Sequence, residues 1–569
     1  MSQDFGVDRS GNNNHWSVNN MTYSDQVVDS PTNNFCTWNP LMDMWSTHSE
    51  GNLKIVTGSG SDRWKRNATS SFLLPESGKW YWENVVVAVG EIGIGVTIGY
   101  GGFDDQHPAK SRYYHGGGAD GGYQIEGSNV STAPASYTND DIIAVAYNAD
   151  DNEITWYKNN VSQGTENLTA TKKPLIAFNQ QNSSGGTCTF IANFGQDSSF
   201  AGNKTAQGNQ DGNDIGDFYY TPPTGFLALC TSNLPDVDVV PSEHFNTVLW
   251  SGSGSSQSIT GVGFQPDWLW IKMRSSAYNH RFFDAIRGSA NGLYSPNTNV
   301  EGDYSAYDGV TSFDTDGFSL SGKDGTDKSG ETYVAWNWKA NGSGSSNTDG
   351  SITSTVSANT DAGFSIVSYT GTGSNATVGH GLSVAPETIM IKKRSATQNW
   401  VNYHKGIGAT GGVYLNDTDA TITASNFFQD TSPTSSVFSI GDGNGVNTDT
   451  ETFIAYCFHS VDGYSKVGSY EGNGDDDGTF VYTGFNVKWL LIKNIDATQN
   501  WYAFDSARDA LNPITNPLSP NTSGTEDTAS CDFLSNGFKM RDDDGAWNGA
   551  NTYIYIAFAE TPFKYSNAR

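Results

Sequence analysis

The sequence predicts an all-β protein in which an N-terminal antiparallel β-sandwich is followed by three tandem β-sandwich-like modules. Aromatic residues make up 13% of the chain although hydrophobic residues reach only 36%, and there are 64 glycines but 18 prolines. Short apolar or alternating segments are separated by turns rich in Gly, Ser, Asp and Asn. Many short strands with polar turns are typical of all-β chains, and the high aromatic content argues against disorder.

Length and charge limit the number of domains and the classes of partner. The chain has 569 residues, which at about 150 residues per domain corresponds to roughly four domains. The 31 basic and 61 acidic side chains give a net charge of -30. Such a chain repels phosphate groups, so we expect no nucleic acid as a partner and no anionic membrane surface. The most apolar stretch, 85–103, contains Glu91 and six glycines, so no membrane insertion is expected.

Neither a metal site nor a cofactor is predicted. The five cysteines are far apart and form no Cys-x-x-Cys pair, which argues against a zinc site or a disulfide scaffold and favours buried, reduced thiols. The Asp-rich turn at 473–478 has Gly484 at the position where a calcium loop needs Glu, so it is interpreted as a solvated turn. The N-terminal segment has neither the basic start nor the apolar stretch of a signal peptide, so none is expected. The cysteines are Cys36, Cys188, Cys230, Cys457 and Cys531.

The C-terminal half contains three copies of one module, which anchor residues bring into alignment. Each copy has a strand-like segment that ends in Ile-Lys, at Lys272, Lys392 and Lys493. Because a period of about 100 to 120 residues exceeds that of solenoid repeats, each copy is expected to be a small domain with its own core. A polar residue follows 12 positions after each lysine, and an aromatic strand closes each copy; these anchors are Asp284, His404 and Asp505, and then Tyr333, Phe453 and Tyr553.

The predicted organisation therefore has five segments. A Gly/Ser-rich stretch at 339–351 is interpreted as a linker between modules 1 and 2. The boundaries are 1–49 for a lead-in segment, 50–230 for the first β-sandwich, and 231–341, 342–463 and 464–569 for the three modules.

Four ordered motifs mark the first β-sandwich. A strand with a Trp-Tyr-Trp cluster lies at 78–87, its expected neighbour lies at 92–100, and a hairpin with a polar turn lies at 140–160. Asn-Phe-Gly-Gln follows at 193–196, with Phe200 behind it. Over about residues 50–202 these motifs resemble those of SPRY domains, a family of concanavalin-like sandwiches of two sheets.

Other segments resemble virion proteins. Residues 8–16 and 29–35 are similar to the lead-in of marine bacteriophage virion proteins, and the three modules resemble those that follow such domains in phage tail fibres. The resemblance implies a tail-fibre-like virion protein that is made in the host cytoplasm and lies on the tail or capsid surface. Residues 1–49 are a candidate segment for attachment to the particle, and which end attaches stays open. The resemblance also implies other virion proteins as partners and a homo-oligomer, in particular a homotrimer.

No catalytic motif occurs in a suitable context. The Gly-x-Gly-x-x-Gly matches at 116–121 and 406–411 are interpreted as turns, because neither opens an amphipathic helix. Asp284, His404 and Asp505 differ between the copies, so they are interpreted as polar groups of turns or strand edges that pair with the matched lysines. The protein is therefore predicted not to be an enzyme.

The predicted ligand site consists of aromatic rings in polar, glycine-rich loops. An exposed ring stacks on the CH face of a sugar while its polar neighbours bond the hydroxyl groups, which favours a host surface glycan as the ligand. The alternative interpretation is that each ring caps its own loop. The candidate residues are Trp547, Asp544, Asn548 and Asn551 in one loop, and Tyr113, Tyr114 and His115 in the other.

Three functional hypotheses remain open. The leading one is a non-enzymatic phage virion protein, a tail fibre or receptor-binding fibre that recognises a host surface glycan. A capsid head fibre or decoration protein is the alternative within the same class. The third is a glycan-degrading enzyme with β accessory modules, against which the lack of a paired-carboxylate strand motif counts.

Overall fold

The protein, examined as a computed structural model, forms two compact units. Unit 1 is Met1–Pro235 and unit 2 is Asp236–Arg569. No helix of the described ranges is long and apolar enough to span a membrane. Among the described residues, the helices are α1 at Asp324–Asp327, α2 at Ser425–Phe428, and 3-10 turns at Pro241–Glu243 and Phe563–Tyr565. The structure describes residues 6–8, 10–19, 27–30, 32–42, 46–57, 67–89, 92–98, 112–116, 122–125, 128–129, 134–168, 175–181, 187–303 and 309–566.

Unit 1 is built from two antiparallel sheets. The first has the strand order β1-β2-β13-β4-β9-β10-β11 and the second β3-β12-β5-β6-β7-β8, while β14 runs parallel to β4 at the side of the first sheet. The strands are β1 Ser46–Ser49, β2 Lys54–Thr57, β3 Asn67–Leu74, β4 Lys79–Ala88, β5 Ile92–Ile98, β6 Arg112–Gly116, β7 Gly122–Ile125, β8 Ser128–Asn129, β9 Ile142–Asn148, β10 Glu153–Lys158, β11 Val161–Asn167, β12 Leu175–Gln181, β13 Thr189–Asn193 and β14 Leu227–Ala228.

Large buried rings join these two sheets into a sandwich. Trp156 of β10 is fully buried, and its indole N–H donates a hydrogen bond of 2.8 Å to the carbonyl oxygen of Ile94 in the opposite sheet. The hairpin expected from the sequence forms between β9 and β10, and Asn152 in its turn has a positive φ of 55°. Asn tolerates that left-handed conformation better than most residues, which explains its place in the turn. Unit 1 is thus a β-sandwich of two antiparallel sheets, as predicted.

The second half of the expected lead-in segment is part of this sandwich. β1, which lies within residues 1–49, forms an edge of the first sheet. Trp38 is fully buried and its indole N–H donates to the carbonyl oxygen of Leu53 at 3.1 Å, while Phe35 forms a β-bridge with Cys230. The expectation of a separate segment at 1–49 is corrected, because these side chains complete the core of unit 1.

Unit 2 contains the three modules, and each module has one large and one small antiparallel sheet. In module 1 the large sheet has the order β15-β23-β17-β18-β19-β20 and the small sheet β16-β22-β21. The strands of module 1 are β15 Phe245–Ser251, β16 Ser256–Thr260, β17 Trp268–Met273, β18 Arg281–Asp284, β19 Asn291–Tyr294, β20 Gly302–Asp303, β21 Val310–Asp314, β22 Gly317–Ser321 and β23 Thr332–Trp338.

Modules 2 and 3 repeat this plan. Their large sheets have the orders β24-β25-β26-β33-β28-β29-β30-β31 and β34-β40-β36-β37, and their small sheets β27-β32 and β35-β39-β38. The strands are β24 Ser345–Asn347, β25 Ser354–Asn359, β26 Phe364–Thr370, β27 Ala376–Gly379, β28 Thr388–Lys393, β29 Val401–His404, β30 Gly411–Tyr414, β31 Ile422–Thr423, β32 Val437–Ile440, β33 Thr452–Phe458, β34 Ser465–Glu471, β35 Phe480–Tyr482, β36 Phe485–Asn494, β37 Trp501–Asp505, β38 Cys531–Leu534, β39 Gly537–Met540 and β40 Thr552–Pro562. The all-β fold class is confirmed.

The central strands of each module are buried on both faces. In β17, Leu269 and Ile271 pack between the two sheets of module 1, while Trp268 and Trp270 point the other way into a second cluster. β28 and β36 alternate in the same manner. A strand covered on both faces has no polar face, which accounts for the continuous apolar runs before the repeat lysines.

The second cluster is a core that the three modules share. The equivalent residues Trp338, Phe458 and Phe558 form a triangle with ring centroids 6.5, 5.6 and 5.9 Å apart. One buried cluster includes residues of all three modules, and each module keeps a further cluster between its own sheets. The expectation that each copy has a core entirely its own is therefore wrong: the copies surround a common aromatic centre with pseudo-threefold symmetry.

The predicted linker at 339–351 is ordered. It contains β24, which pairs with β25 and so extends the large sheet of module 2. The backbone N–H of Ala340 donates to the carboxylate of Asp267 at 2.8 Å. A Gly/Ser-rich composition does not distinguish a flexible linker from a short strand with small side chains, and here the backbone hydrogen bonds favour the strand.

Candidate functional site

Trp547, the first ring predicted to bind a glycan, is buried in module 3. Its side chain is 3% exposed and packs edge-on against Tyr502 with ring centroids 4.8 Å apart. The indole N–H donates to the carboxylate of Asp542. The expectation of an exposed ring is wrong, because the faces that a sugar would need are covered by the core of the module.

The polar neighbours of Trp547 build a turn. Asn548 is fully buried, and its side-chain N–H groups donate to Asn473, Asp475 and Asp542 at 2.8 to 3.0 Å. The exposed Asp544 accepts a 2.8 Å bond from the backbone N–H of Ala546. Asn551 is half-buried and accepts a backbone bond of 2.9 Å from Gly472.

The second predicted loop is also closed. Tyr113 and Tyr114 lie on β6 and are 1% and 0% exposed. The Tyr114 hydroxyl donates to the carbonyl oxygen of Ala135, and its ring meets Tyr137 edge-on with centroids 5.1 Å apart. His115 is on the same strand, but its side chain lies outside the described residues. The expected exposure of both tyrosines is wrong, because β6 is an inner strand of the second sheet with β5 and β7 on either side.

A glycine-rich turn recurs at the same place in all three modules. The turns are 252–254, 371–373 and 472–474, and the last glycine of each has a positive φ of 70°, 67° and 65° respectively. A Cβ on the first glycine would lie only 2.0 to 2.2 Å from a carbonyl oxygen in each module. Both glycines are therefore required, one for its conformation and one for the close approach of another backbone segment.

A buried polar residue holds each turn from below. Asp327, Asn447 and Asn548 are all 0% exposed, and each accepts a hydrogen bond from the backbone N–H between the two glycines, at 2.7, 2.7 and 3.4 Å. Their backbone carbonyl oxygens accept from the last glycine of the turn at 2.7 to 2.9 Å. We call these three residues with their turns the clamped turns.

The residue before each clamp is fixed in an equivalent way. The carbonyl oxygens of Thr326, Val446 and Trp547 accept hydrogen bonds of 3.1, 2.7 and 2.6 Å. The donors are the polar tips of aromatic residues that precede the turns, namely Trp250, Tyr369 and Tyr470. Trp547 thus occupies a position that Thr and Val fill in the other modules, which agrees with an interior role.

The tips of the clamped turns differ in charge. Those of modules 1 and 2 are formed by Ser, Thr and Gly, whereas Asp475, Asp476 and Asp477 are exposed in module 3. Asp477 lies 3.1 Å from the ammonium of Lys539 and 3.4 Å from the guanidinium of Arg541. Across the ranges that the structure describes, no group of three His, Cys, Asp or Glu side chains is placed to hold a metal ion.

Of the two Gly-x-Gly-x-x-Gly motifs, the one at 406–411 is a turn that leads into β30, as interpreted. Residues 117–121 of the other motif lie outside the described residues.

The repeat positions Asp284, His404 and Asp505 lie at junctions between modules. The Asp284 carboxylate accepts from Arg287 at 2.5 Å and from the Tyr456 hydroxyl of module 2 at 2.8 Å. Asp505 accepts from Arg508 at 2.5 Å and from the Trp336 indole of module 1 at 3.0 Å, and the His404 ring lies 3.4 Å from the carbonyl oxygen of Tyr555 in module 3. All three are the last residues of their strands, β18, β29 and β37, and all three are buried.

The matched lysines do not pair with these carboxylates. Lys392 is fully buried and donates to the carbonyl oxygen of Thr298 in module 1 at 3.1 Å, and Lys493 donates to Thr418 in module 2 at 2.9 Å. Lys272 donates to its neighbour's carbonyl at 2.6 Å and lies 3.4 Å from that of Ser523 in module 3. Burial lowers the pKa of these ammonium groups to about 7 for Lys272 and Lys392 and to about 8 for Lys493.

Two glutamates complete two of the junctions. Glu301 lies 3.2 Å from Arg287 and 2.8 Å from Arg394 of module 2. Glu526 makes the equivalent contacts with Arg508 at 3.2 Å and with Arg274 of module 1 at 2.6 Å.

The third junction has no arginine at these positions. Ile407 and Ile495 replace the two arginines by register, and a cavity of about 10 Å³ lies beside His404, which is room for about one water molecule. Burial lowers the pKa of His404 to about 4, so the imidazole is neutral at pH 7.

Glu83 is a buried acid of unit 1 that sequence reasoning missed. Glu83 of β4 is 0% exposed, and its carboxylate accepts bonds from the backbone N–H groups of Tyr219 and Tyr220 at 2.9 and 2.8 Å. The Tyr81 hydroxyl and the Asn193 amide also donate to it, at 3.1 and 3.2 Å. Burial raises the pKa of Glu83 to about 7, although these bonds act in the opposite direction. Glu83 therefore ties the irregular segment at 219–220 to the sheet.

A family model described as "Domain of unknown function (DUF7483)" matches residues 240–562, more than half of the chain. The chain belongs to the DUF7483 family. The matched range covers all three modules, so the pseudo-threefold unit corresponds to the family domain. No curated protein matches the chain.

Solved SPRY domains are among the structures similar to this chain. The SPRY domain of human HERC1 has 15% identity and a TM-score of 0.24, and the match covers 27% of this chain and 96% of that one. The TRIM65 PSpry domain has 15% identity and a TM-score of 0.23, with 28% and 92% covered. A further human SPRY domain has 15% identity and a TM-score of 0.21, with 26% and 94% covered.

Proposed function

We propose that this protein is a non-enzymatic structural and recognition protein of a bacteriophage virion, a tail fibre or receptor-binding fibre, whose clamped turns meet a host surface glycan. The observation that carries the proposal is the threefold repetition of a preorganised polar turn on one shared core. Loops held by a rigid scaffold are the usual location of binding residues in β proteins. Preorganisation lowers the entropy that a loop loses when a ligand binds.

The use of the buried titratable groups supports binding rather than catalysis. Asp284, His404 and Asp505 are hydrogen-bonded between modules and buried. A general acid or base has to reach the reacting atoms of a substrate, and these groups face the interior of unit 2. Their repetition at equivalent positions is explained by the assembly of the modules.

The setting of the protein is part of the same proposal. A rigid β unit with polar turns suits the surface of a particle, and we propose other virion proteins and a homo-oligomeric assembly as its partners. A single shallow polar contact gives roughly millimolar affinity. Several copies on one particle raise the apparent affinity by about 10² to 10⁴ where the geometry allows simultaneous contact.

The proposal is tested by adsorption of the purified protein to host cells. One variant carries Arg at an exposed residue of each turn region, as Ser255→Arg, Asn375→Arg and Asp476→Arg. The control carries Asp238→Arg, Asp361→Arg and Asp462→Arg, which are exposed residues that precede β15, β26 and β34. We expect the turn variant to lose at least about tenfold in adsorption while the control, with the larger change in net charge, retains it.

Two results would contradict the proposal. If both variants adsorb like the unmodified protein, the clamped turns do not bind the host surface. If the unmodified protein releases reducing sugar from host envelope polysaccharide, the glycan-degrading hypothesis replaces the non-enzymatic one. Antibody labelling of intact particles in the electron microscope then locates the protein, and capsid labelling would replace the tail fibre with a head fibre or decoration protein.

A further inference from the structure

His244 lies where all three modules of unit 2 meet. It stands just before β15 of module 1, and its ring lies edge-on to that of Tyr464 in module 3, with centroids 6.0 Å apart. The side-chain N–H of Asn359 in module 2 donates to His244 Nδ1 at 2.8 Å. The oxygen of the same amide accepts from the backbone N–H of Ala362 at 3.1 Å, which fixes the orientation of the amide. This contact between modules therefore requires an Nδ1 atom without a proton.

Two further histidines accept hydrogen bonds at contacts between modules. His280 of module 1 is fully buried beside the backbone of Ser519 in module 3, and its Nδ1 accepts from the indole N–H of Trp270 at 2.9 Å. His404 of module 2 lies against β40 of module 3, and its Nδ1 accepts from the backbone N–H of Gly406 at 3.0 Å. We call these three residues the junction histidines, His244, His280 and His404.

Positive charge surrounds His280. The charged groups that act on its ring are cations, namely Lys272, Arg281 and Arg508. Burial, together with these cations, holds the pKa of His280 well below its usual range. The carboxylates of this junction, Asp505 and Glu526, already form ion pairs with Arg508 at 2.5 and 3.2 Å. A proton added to His280 would therefore stay without a counter-charge.

The other two junction histidines face charges of both signs. His404 lies near Lys405 and Glu387, which form an ion pair of 2.7 Å with each other. The groups of module 3 on the other side of His404 carry no charge, and they are Trp501, Ile554, Tyr555 and Ile556. The charged groups that act on His244 are Lys339, Glu243 and Asp361. Burial nevertheless lowers the pKa of both imidazoles.

We propose that the junction histidines make the assembly of the three modules sensitive to acid, so that their protonation separates the modules and opens the shared aromatic centre. A proton on Nδ1 turns an acceptor into a donor that faces another donor. It also leaves a positive charge inside a buried junction, whereas separated modules expose the same imidazoles to water. This device belongs to unit 2 and requires no ligand.

The pH range follows from the two states of His404. Its pKa is about 4 in the closed junction and about 6.5 for an imidazole in water. Its contribution to the stability of the closed form is therefore complete above about pH 6.5 and is lost as the pH falls toward 4. His404 alone should raise the open population at least about tenfold between pH 7 and pH 5. The other two junction histidines act in the same direction.

Hydrogen exchange on the full chain tests this proposal through backbone amides that donate across the junctions. Gln398 donates to the carbonyl oxygen of Thr298 in module 1, and Gln499 to that of Thr418 in module 2, both at 3.0 Å. After correction for the intrinsic exchange rate, we expect both amides to lose protection at least about tenfold at pH 5 relative to pH 7. The small sheets of the modules, such as β35-β39-β38, should keep their protection, and return to pH 7 should restore the junction amides.

A triple variant removes the titrating groups. His244→Asn, His280→Asn and His404→Asn keep an acceptor oxygen but have no imidazole to protonate, so the loss at pH 5 should disappear. The ratio between pH 5 and pH 7 is unaffected by a loss of stability that does not depend on pH. The matched control is His380→Asn. His380 is also buried and accepts from the backbone N–H of Leu382 at 3.1 Å, but both of its ring bonds lie within module 2.

The control variant should respond to acid like the unmodified chain. If the triple variant does not fold, His404→Asn alone should reduce the loss of protection at Gln499 at least about fivefold. Three results would overturn the proposal. They are unchanged protection of Gln398 and Gln499 at pH 5, an equal loss in the small sheets, and an acid response that the histidine variants retain or that His380→Asn also abolishes.

Discussion

The clamp residues show how far a single polar side chain shapes unit 2. Asp327, Asn447 and Asn548 have different neighbours in sequence, yet each is fully buried below a glycine-rich turn. Asn548 was predicted to bind a ligand because it stands in a polar loop. Local composition does not reveal whether an amide faces solvent or a turn. The repeat register does show that the three clamps are equivalent, because they lie six, six and five residues before the closing residues Tyr333, Phe453 and Tyr553.

Removal of one clamp should loosen its turn. Asn447→Ala eliminates bonds to the backbone of Thr372, Ser374 and Gly441, and the groups left unpaired cost about 1 to 3 kcal/mol in the free energy of unfolding. Chemical denaturation measures that loss. The control is Asn375→Ala, an exposed residue just after the same turn, which should change the free energy of unfolding by no more than about 0.5 kcal/mol. Equal effects would show that Asn447 is not a clamp.

The buried lysines give a pH dependence with a definite sign. The pKa of Lys392 is about 7 in the folded chain and about 10.4 when unfolded. Its neutral form is favoured by folding, so its contribution to stability is complete above the unfolded pKa and is lost as pH falls toward 7. Relative to Lys392→Met, the unmodified chain should gain roughly 4 kcal/mol between pH 7 and pH 10. A stability difference that is constant over this range would contradict the burial of a neutral lysine.

At the scale of strands, the sequence predicted where the strands lie better than what their two faces contact. The apolar runs before Lys272, Lys392 and Lys493 do form strands, β17, β28 and β36. The same runs do not reveal that one face meets a small sheet and the other meets two further modules, because a strand buried on both faces shows no alternation. Asp284, His404 and Asp505 were interpreted as polar groups of turns or strand edges because they differ between the copies, and nothing in the runs shows that they lie between modules. The missing information is the position of the neighbouring module.

The three junctions provide a test by exchange. Arg287→Ile leaves the buried carboxylate of Asp284 without its ion pair, which typically costs about 3 to 5 kcal/mol. The pair Asp284→His with Arg287→Ile copies the residues of the third junction, His404 and Ile407, and should recover at least half of that loss because no unpaired charge remains. Denaturant titration of both variants provides the measurement. A double variant no more stable than the single one would show that the junctions are not equivalent.

At the scale of the whole chain, the order of domains and the all-β class follow from the sequence, whereas the assembly of the modules does not. Repeat spacing identifies three copies but contains no information about how they pack. The closing strands offered one signal: Trp336 and Trp338 stand at alternate positions of β23, and neither could face solvent in a strand whose other face was already apolar. Three strands of this kind require a further buried surface, which the common centre supplies.

The arrangement also changes the expectation for fragments. If the modules were separate domains, a fragment from about residue 342 onward would fold alone. Such a fragment lacks the residues that module 1 contributes to the common core, among them Trp268, Trp270, Trp336 and Trp338. We therefore expect such a fragment to expose apolar surface instead of giving a native β spectrum. Circular dichroism with a dye that binds apolar surface checks this, and a cooperative thermal transition without dye binding would favour independent modules.

The central claim is that the three modules form one cooperative unit around a shared aromatic centre, and hydrogen exchange on the full chain tests it most directly. Phe458→Ala removes one ring of the Trp338, Phe458 and Phe558 triangle and should cost about 3 to 5 kcal/mol. If the claim holds, backbone amides of β23, β33 and β40 lose protection by similar amounts, because all three strands open together. Loss of protection confined to β33 and its module, with β23 and β40 unchanged, would contradict it.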